Sequence, residues 1–183
     1  TYTNGSQQTY VLVYVDDIIV TGSDPRHIST VLQSFAQRFS IKDPVDLHYF
    51  LGVEVTRSSA GLHLMQRRYV LDLLTRTNML DSKTVSTPMQ TTPKLTLKDS
   101  APLADSSQYR SIVGSLQYLA FTRPDISFAV NRLSQFMHQP TECHWQAAKR
   151  VLRYLVGTQS HGIYMKASSS LTLHAFTDAD WAG

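Results

Sequence analysis

The sequence of 183 residues is poor in cysteine, in charge and in long apolar runs. Cys143 is the single cysteine, which excludes an internal disulfide scaffold and a zinc site with four cysteine ligands. Charged residues make up 17%, below the roughly 25% of typical soluble domains. Because 42% of the residues are hydrophobic, the chain can still bury a core, and its length suits one ordinary domain or two small ones.

The longest purely apolar run covers only residues 10–15, far short of the roughly 18 residues that a membrane span needs. The polar start, residues 1–9, has no signal-peptide shape. We therefore expect a soluble, intracellular protein with no membrane partner. Neither end resembles a natural terminus, so we also expect a fragment. The chain has no His-Glu-x-x-His helix, glycine-rich phosphate loop or Gly-x-Ser-x-Gly elbow.

Charge is distributed unevenly along the chain. Residues 1–60 contain four basic and six acidic side chains. Residues 61–170 contain thirteen basic and six acidic side chains, and thirteen minus six leaves a charge of +7. A cationic middle suits the binding of a polyanion, although lysines and arginines that only solvate helix faces would give the same count.

The first part of the chain alternates between hairpin and helix patterns. Residues 10–15 and 18–21 are β-branched and aromatic runs separated by Asp16 and Asp17, a pattern that predicts a hairpin closed by Gly22.

Further elements follow this hairpin. Asp24 is a candidate N-cap for a helix over about 25–39, whose apolar residues have helical spacing. A second hairpin is predicted from 49–56 and 62–66, and a further helix from 66–79.

Residues 82–107 differ in character, with ten Ser or Thr and three Pro among 26 positions, which predicts a loop or linker. Helical spacing then returns, and prolines separate three predicted helices: 109–122, 125–137 and 142–156. One predicted face of the first helix comprises Ile112, Val113, Leu116 and Leu119, and one of the second comprises Ile126, Ala129, Val130 and Leu133. Residues 123–125 are interpreted as a helix boundary, in which an acidic residue lies near the positive end of the next helix. Extended segments are predicted at 162–165 and 171–177.

Asp16 and Asp17 are the strongest candidates for chemistry. A hairpin between two apolar strands holds their carboxylates close together, and paired carboxylates suit Mg²⁺, which prefers oxygen ligands and can be shared with substrate phosphates. The alternative is an ordinary turn, since aspartate is a common turn residue.

Lys149, Arg150 and Arg153 lie on one side of the predicted 142–156 helix, opposite its apolar side. Such a helix could follow a phosphate backbone without sequence preference. A solvated helix face is the alternative that amphipathicity alone leaves open.

The segment Tyr14-Val15-Asp16-Asp17 resembles the active-site hairpin of reverse transcriptases. Further blocks, in the same order, resemble the copia-type retrotransposon polyprotein, and together they cover nearly the whole chain. These blocks are residues 47–55, 109–119, 122–126, 149–158 and 178–183.

The resemblance implies an α+β fold and the C-terminal part of a reverse transcriptase. Residues 1–81 would form a partial palm of antiparallel hairpins and helices, and 82–107 the linker. Residues 108–158 would form an α-helical thumb, and 159–183 the first strands of a ribonuclease H-like domain.

The resemblance also assigns roles. Asp16 would be a ligand of both catalytic Mg²⁺ or Mn²⁺ ions, and Asp17 the neighbouring carboxylate. Tyr14 and Val15 would lie against the primer end and its template base. The family resemblance favours nucleic-acid binding for the basic residues of the 142–156 helix.

A second metal site is implied at the other end of the chain. Asp178, or less favourably Asp180, would be the first carboxylate of a ribonuclease H half-site. The implied partners are an RNA or DNA template with its primer, deoxynucleoside triphosphates and the remainder of the polyprotein.

The resemblance also predicts what this chain lacks. Reverse transcriptases need a third carboxylate from an earlier palm strand, and residues 1–15 contain no acidic residue. The fingers are missing as well, so we expect the isolated chain to be inactive. The rival hypothesis is a non-catalytic retrotransposon remnant that retains nucleic-acid binding.

Overall fold

The computed structural model describes residues 2–4, 7–97, 100–168, 172 and 175. They form a mixed α/β structure with antiparallel sheets, as the α+β prediction requires. The chain divides into two compact units, Thr1–Leu47 and His48–Gly183. The strands of the described residues are β1 Tyr2–Asn4, β2 Gln7–Tyr14, β3 Asp17–Gly22, β4 Tyr49–Phe50, β5 Val53–Ser58, β6 Gly61–Met65 and β7 Gly162–Lys166. The helices are α1 Pro25–Arg38, α2 Arg67–Arg76, α3 Ser107–Leu119, α4 Ser127–Ser134 and α5 Glu142–Gly157, with a 3-10 turn at Pro124–Ile126.

The first unit is a three-stranded sheet in the order β1-β2-β3, followed by α1. Its β2–β3 pair is the predicted hairpin. Helix α1 begins where the sequence predicts, because the Asp24 carboxylate accepts a hydrogen bond from the Arg26 backbone N–H at 2.9 Å. The other carboxylate oxygen of Asp24 accepts from Gln7 at 2.8 Å, which ties the start of α1 to the sheet.

This first unit buries little apolar surface. No residue of α1 is buried, and its apolar side is only half-covered. Large apolar side chains of the hairpin are also exposed, among them Leu12, Val13 and Ile18. The local pattern therefore specifies the hairpin and the helix, and the unit itself supplies no core between them.

The second unit contains a four-stranded sheet in the order β4-β5-β6-β7. β5 and β6 form the second predicted hairpin, with Ser58 paired to Gly61. β7 pairs antiparallel with β6, so this strand completes a sheet whose first strand begins at Tyr49. The predicted ribonuclease H-like strands are not confirmed: 162–166 belongs to this sheet, and 171–177 lies almost entirely outside the described residues.

A single apolar core holds α2, α3, α4 and α5 together. The faces that helical spacing predicts for α3 and α4 are the buried ones. The buried Tyr109 hydroxyl donates to the Leu133 carbonyl at 2.8 Å, and burial raises the pKa of Tyr109. The core comprises Val70, Leu73, Leu74, Tyr109, Ile112, Val113, Leu116, Leu119, Ile126, Ala129, Val130, Leu133, Ala148, Val151, Leu152 and Leu155.

The predicted linker does not separate two compact units. Its described residues before Ser107 form no helix or strand, as expected. However, α2 lies before it and packs in the same core as α3 to α5. The division into compact units falls at Leu47 instead, because the apolar face of α2 is buried against helices that follow the linker.

A buried ion pair joins three elements of the helical core. The Arg123 side chain is 1% exposed, and its Nε and Nη2 donate to the two carboxylate oxygens of Asp125 at 2.9 and 2.7 Å. Its Nη1 donates to the Thr158 carbonyl at 2.9 Å, and the Tyr154 hydroxyl donates to Asp125 at 2.8 Å. The end of α3, the 3-10 turn and the end of α5 are thereby fixed to one another. The sequence predicted only a helix boundary here.

Hydrogen bonding lowers the pKa of Asp125. Burial alone would raise it, but the hydrogen bonds from Arg123 and Tyr154 and the Arg123 charge outweigh burial and hold the pKa below its usual value.

No helix among the described residues is both long enough and apolar enough to span a membrane.

We expect Arg123→Ala to destabilise the second unit by about 3 kcal/mol, since it leaves a partly buried carboxylate without its partner. Arg76→Ala, at an exposed arginine of α2, should change stability by less than about 0.5 kcal/mol. Urea unfolding followed by Trp145 fluorescence, in a Trp181→Phe background, measures both. Equal stability of the two variants would contradict the structural role of Arg123.

The Asp125 pKa predicts acid sensitivity. A carboxyl with a lowered folded pKa stabilises the fold above its unfolded pKa, about 3.9, and this contribution is lost as the pH falls through the folded value. Asp125→Asn should therefore be less stable than the unchanged chain at pH 7, with a gap that narrows below about pH 4. Urea midpoints from pH 7 to pH 2 test this, with the exposed Asp81→Asn as control. A gap that is constant with pH would contradict the assignment.

Candidate active site and nucleic-acid surface

The β2–β3 hairpin places the predicted active-site residues at its tip. Tyr14 pairs with Asp17, which leaves Val15 and Asp16 as the two turn residues. Asp16 and Asp17 are both exposed, and neither makes an ion pair with a described residue. The predicted hairpin is confirmed, and Tyr14, Val15, Asp16 and Asp17 are consecutive and exposed at its tip.

Val15 has an unusual backbone at this turn. Its φ is 50°, in the left-handed region that β-branched residues rarely adopt, and its side chain is 81% exposed. Such strain costs of order 1–3 kcal/mol and is concentrated at functional sites in proteins. Because the Val15 side chain is exposed, burial does not hold its backbone in this conformation. The conformation is imposed by the two-residue connection between β2 and β3.

The donor chemistry at this turn fits a hard cation. Carboxylate oxygens are the ligands that Mg²⁺ and Mn²⁺ take, and Mg²⁺ usually retains waters and substrate phosphates beside one or two carboxylates. Within the described part of the chain, no three His, Cys, Asp or Glu side chains converge in a way that could hold a metal ion. The turn therefore offers two carboxylates and no third protein ligand of these types.

Helix α5 carries the three predicted cations, Lys149, Arg150 and Arg153, which we call the α5 basic cluster. All three are half-buried and none is fully exposed. Lys149 Nζ lies 5.1 Å from the centre of the Trp145 ring. The sequence correctly separated this side of α5 from its apolar side, where Val151, Leu152 and Leu155 are buried.

Two members of the cluster contact the preceding loop. Arg150 Nη2 donates to Thr87 Oγ1 at 2.8 Å, and Arg153 Nε donates to the Lys83 carbonyl at 2.7 Å. The guanidinium groups therefore fasten residues 83–87 to α5 while keeping their positive charge. Amphipathic spacing shows which side of a helix is polar, but it does not show which loop covers that side.

An open groove of about 570 Å³ in the second unit was missed by sequence reasoning. Its aromatic wall is formed by Tyr69 and Tyr118, whose ring centres are 4.9 Å apart. At its edge, the Arg68 guanidinium lies 5.6 Å from the centre of the Tyr49 ring. The available signal was that residues 47–55 and 109–119, two of the blocks that resemble retrotransposon polyproteins, both line the groove. The other lining residues are Gly52, Asp72, Ser111, Gly114 and Ser115.

The Tyr118 side chain holds the turn beside this groove. Its hydroxyl donates to the Leu51 carbonyl, where Leu51 has a φ of 46° and Gly52 a φ of 78°. A Cβ at position 52 would lie 2.8 Å from the Tyr118 hydroxyl, so glycine is required there for both backbone conformation and space.

A second hollow, of about 470 Å³, contains His63, Asp125, Tyr154 and His161 among its lining residues. Asp125 is already bound by Arg123 and Tyr154, which leaves it poorly placed to act as a base. Asp178, the predicted ribonuclease H ligand, and Asp180 lie outside the described residues.

The family model described as "Reverse transcriptase (RNA-dependent DNA polymerase)" matches residues 1–91, which include the whole β2–β3 hairpin. No solved structure matches the chain significantly.

Relatives extend the similarity over nearly the whole chain. The Retrovirus-related Pol polyproteins from transposons RE1 and RE2 of Arabidopsis thaliana are both 62% identical over 179 residues, 98% of this chain. The chain spans 12% of the length of each polyprotein. The Uncharacterized mitochondrial protein AtMg00810 of the same plant is 46% identical over 177 residues, covering 95% of this chain and 72% of that protein. The chain therefore belongs to the reverse transcriptase family of copia-type retrotransposons.

Proposed function

We propose that the chain supplies the Asp16–Asp17 hairpin of a copia-type RNA-directed DNA polymerase. The complete enzyme would extend a primer on an RNA or DNA template by joining a deoxynucleotide to its 3′ end, with release of pyrophosphate. The observation that carries the proposal is the exposed turn with two adjacent carboxylates at the tip of an apolar hairpin, within the region that matches the reverse transcriptase model.

Each residue of the turn has a proposed role. Asp16 and Asp17 would hold the catalytic Mg²⁺ or Mn²⁺ ions, which when bound stabilise charge on the attacking and leaving oxygens. Tyr14 and Val15 would lie against the primer end and its template base. All four side chains are exposed, which leaves them accessible to a bound duplex.

The isolated chain is proposed to lack polymerase activity. Its described residues offer two carboxylates at the turn, and residues 1–15 contain no acidic residue. Alignment of the reacting groups supplies much of an enzyme's rate, and it would require the third ligand and the nucleotide-gripping fingers. The remainder of the polyprotein is the proposed source of both.

The α5 basic cluster is the proposed duplex-binding surface. Lysines and arginines that neutralise phosphates bind nucleic acid without sequence preference. The specific observation is that three cations lie within five positions on the polar side of a helix whose other side is buried. A non-catalytic remnant that only binds nucleic acid is the second candidate, supported by the two-carboxylate turn.

We expect no primer extension by the 183-residue chain with Mg²⁺ or Mn²⁺ on a labelled primer-template. A longer protein that includes the upstream polyprotein region should extend the primer and lose activity with Asp16→Asn, because one metal ligand is removed. Asp43→Asn, at an exposed aspartate of the same unit, should leave that activity unchanged. Extension by the 183-residue chain, or activity of the longer Asp16→Asn protein, would contradict the proposal.

We expect weak, sequence-indifferent duplex binding with a slope of log affinity against log salt near −2.7, about −0.9 for each of three phosphates. Replacing Lys149, Arg150 and Arg153 by Ala should remove most of this slope, as measured by fluorescence anisotropy at several salt concentrations.

The matched control removes the same charge elsewhere. Arg26, Arg57 and Arg76 are exposed, and their triple Ala variant should keep the slope. Equal losses in the two triple variants would show that net charge, and not the α5 basic cluster, governs binding. Circular dichroism of both variants checks that the helices remain folded.

A further inference from the structure

On one edge of the Arg150 guanidinium, only one of the two N–H donors has an acceptor among the described residues. Its Nη2 donates to Thr87 Oγ1 at 2.8 Å. Its Nε is buried, and no acceptor among the described residues bonds to it. In a planar guanidinium, the Nε–H and one Nη2–H point in the same direction, so a single anion can accept from both. The Thr87 hydroxyl has one oxygen, which accepts from Nη2 and leaves Nε without an acceptor.

In Arg123, both donors of the corresponding edge have acceptors. Its Nε and Nη2 donate to the two carboxylate oxygens of Asp125 at 2.9 and 2.7 Å. An anionic group with at least two oxygens thus completes this geometry. A buried donor without an acceptor is unfavourable, so such a group opposite Arg150 would be favoured.

The Thr87 side chain is placed for modification. It is exposed, and residues 83–97 that contain it form no helix or strand. Pro88 follows it and favours an extended conformation at position 87. An extended, exposed Thr-Pro segment is the type of substrate that proline-directed protein kinases take. A second cation of α5, Arg153, binds the Lys83 carbonyl in the same loop.

We propose that Thr87 is a phosphorylation site and that Arg150 is the receptor for its phosphate. In the transfer, Thr87 Oγ1 forms a bond to the γ-phosphorus of ATP, and the bond from that phosphorus to the leaving oxygen of ADP breaks. ADP leaves with the electron pair, and the hydroxyl proton passes to a base of the kinase.

The product fills the unused edge of Arg150. Oγ1 becomes the ester oxygen, and the three outer oxygens of the phosphate are acceptors that can serve Nη2 and Nε together. A local shift of this loop, which contains no helix or strand, would seat them without breaking a regular element. Phosphorylation thereby strengthens the existing contact between residues 83–87 and α5. This inference does not depend on polymerase activity or on nucleic-acid binding.

The receptor is tested with phosphothreonine incorporated at position 87 during synthesis of the full chain. Phosphothreonine at position 92 is the matched control, because Thr92 is also exposed and followed by proline in the same loop, without a hydrogen bond to an arginine among the described residues. Titration by ³¹P NMR should give a second phosphate pKa at position 87 that is about 0.5 to 1 unit below that at position 92, since a facing cation favours the dianion.

Two variants examine the arginine itself. Arg150→Gln should return the pKa at position 87 to the value at position 92, and Arg150→Lys should do so in part, because lysine keeps the charge but lacks the planar fork. If Arg150→Gln fails to fold, the phosphate pKa values at positions 87 and 92 in the chain that retains Arg150 still test the proposal. Equal pKa values at positions 87 and 92 would overturn the proposal.

Access is tested with the unmodified chain, ATP and a proline-directed kinase, with sites assigned by mass spectrometry. Phosphate at Thr87 of the folded chain is expected, and Thr87→Val should remove it. Phosphorylation of a peptide spanning residues 81–94 at Thr87, with none at Thr87 in the folded chain, would overturn the proposal because the loop would then be closed to the kinase.

Discussion

The buried charge of Arg123 is the constraint on which the second unit depends. A guanidinium that is 1% exposed needs protein acceptors for its N–H groups, and Asp125 and Thr158 supply these acceptors. These two residues lie 33 positions apart in the sequence, and α4 and the whole of α5 lie between them. Satisfying one side chain therefore sets the relative positions of the helix ends around the core.

Local patterns predicted much of the secondary structure. The β2–β3 hairpin, the Asp24 cap and the buried faces of α3 and α4 were all foreseen, because each depends on residues a few positions apart. The tip of the hairpin was predicted for the same reason: two apolar runs leave only a short connection for Asp16 and Asp17. Whether metal ions bind there remains a prediction, since spacing specifies a turn and not its ligands.

Features that depend on distant contacts were not predictable in this way. The sequence marked Arg123 as a helix boundary, because nothing in its neighbours shows that Thr158 approaches it. The groove beside Tyr118 needs a turn of the sheet and a helix that are separated by more than 60 residues. The loop contacts of Arg150 likewise became visible only when Thr87 was placed against α5. Sequence reasoning thus identified the polar side of α5 but not what lies on it.

The unequal burial in the two units bears on how the chain loses its structure. Among the described residues, the second unit has sixteen buried apolar residues in one cluster, whereas α1 of the first unit has none. Apolar burial is the dominant favourable contribution to folding, and a small sheet whose faces are only partly covered is marginally stable in water. Local opening should therefore begin in the first unit and leave the helical core intact. A single melting temperature describes a protein that unfolds in two states. This chain has two compact units of unequal stability, so one melting temperature would not describe both.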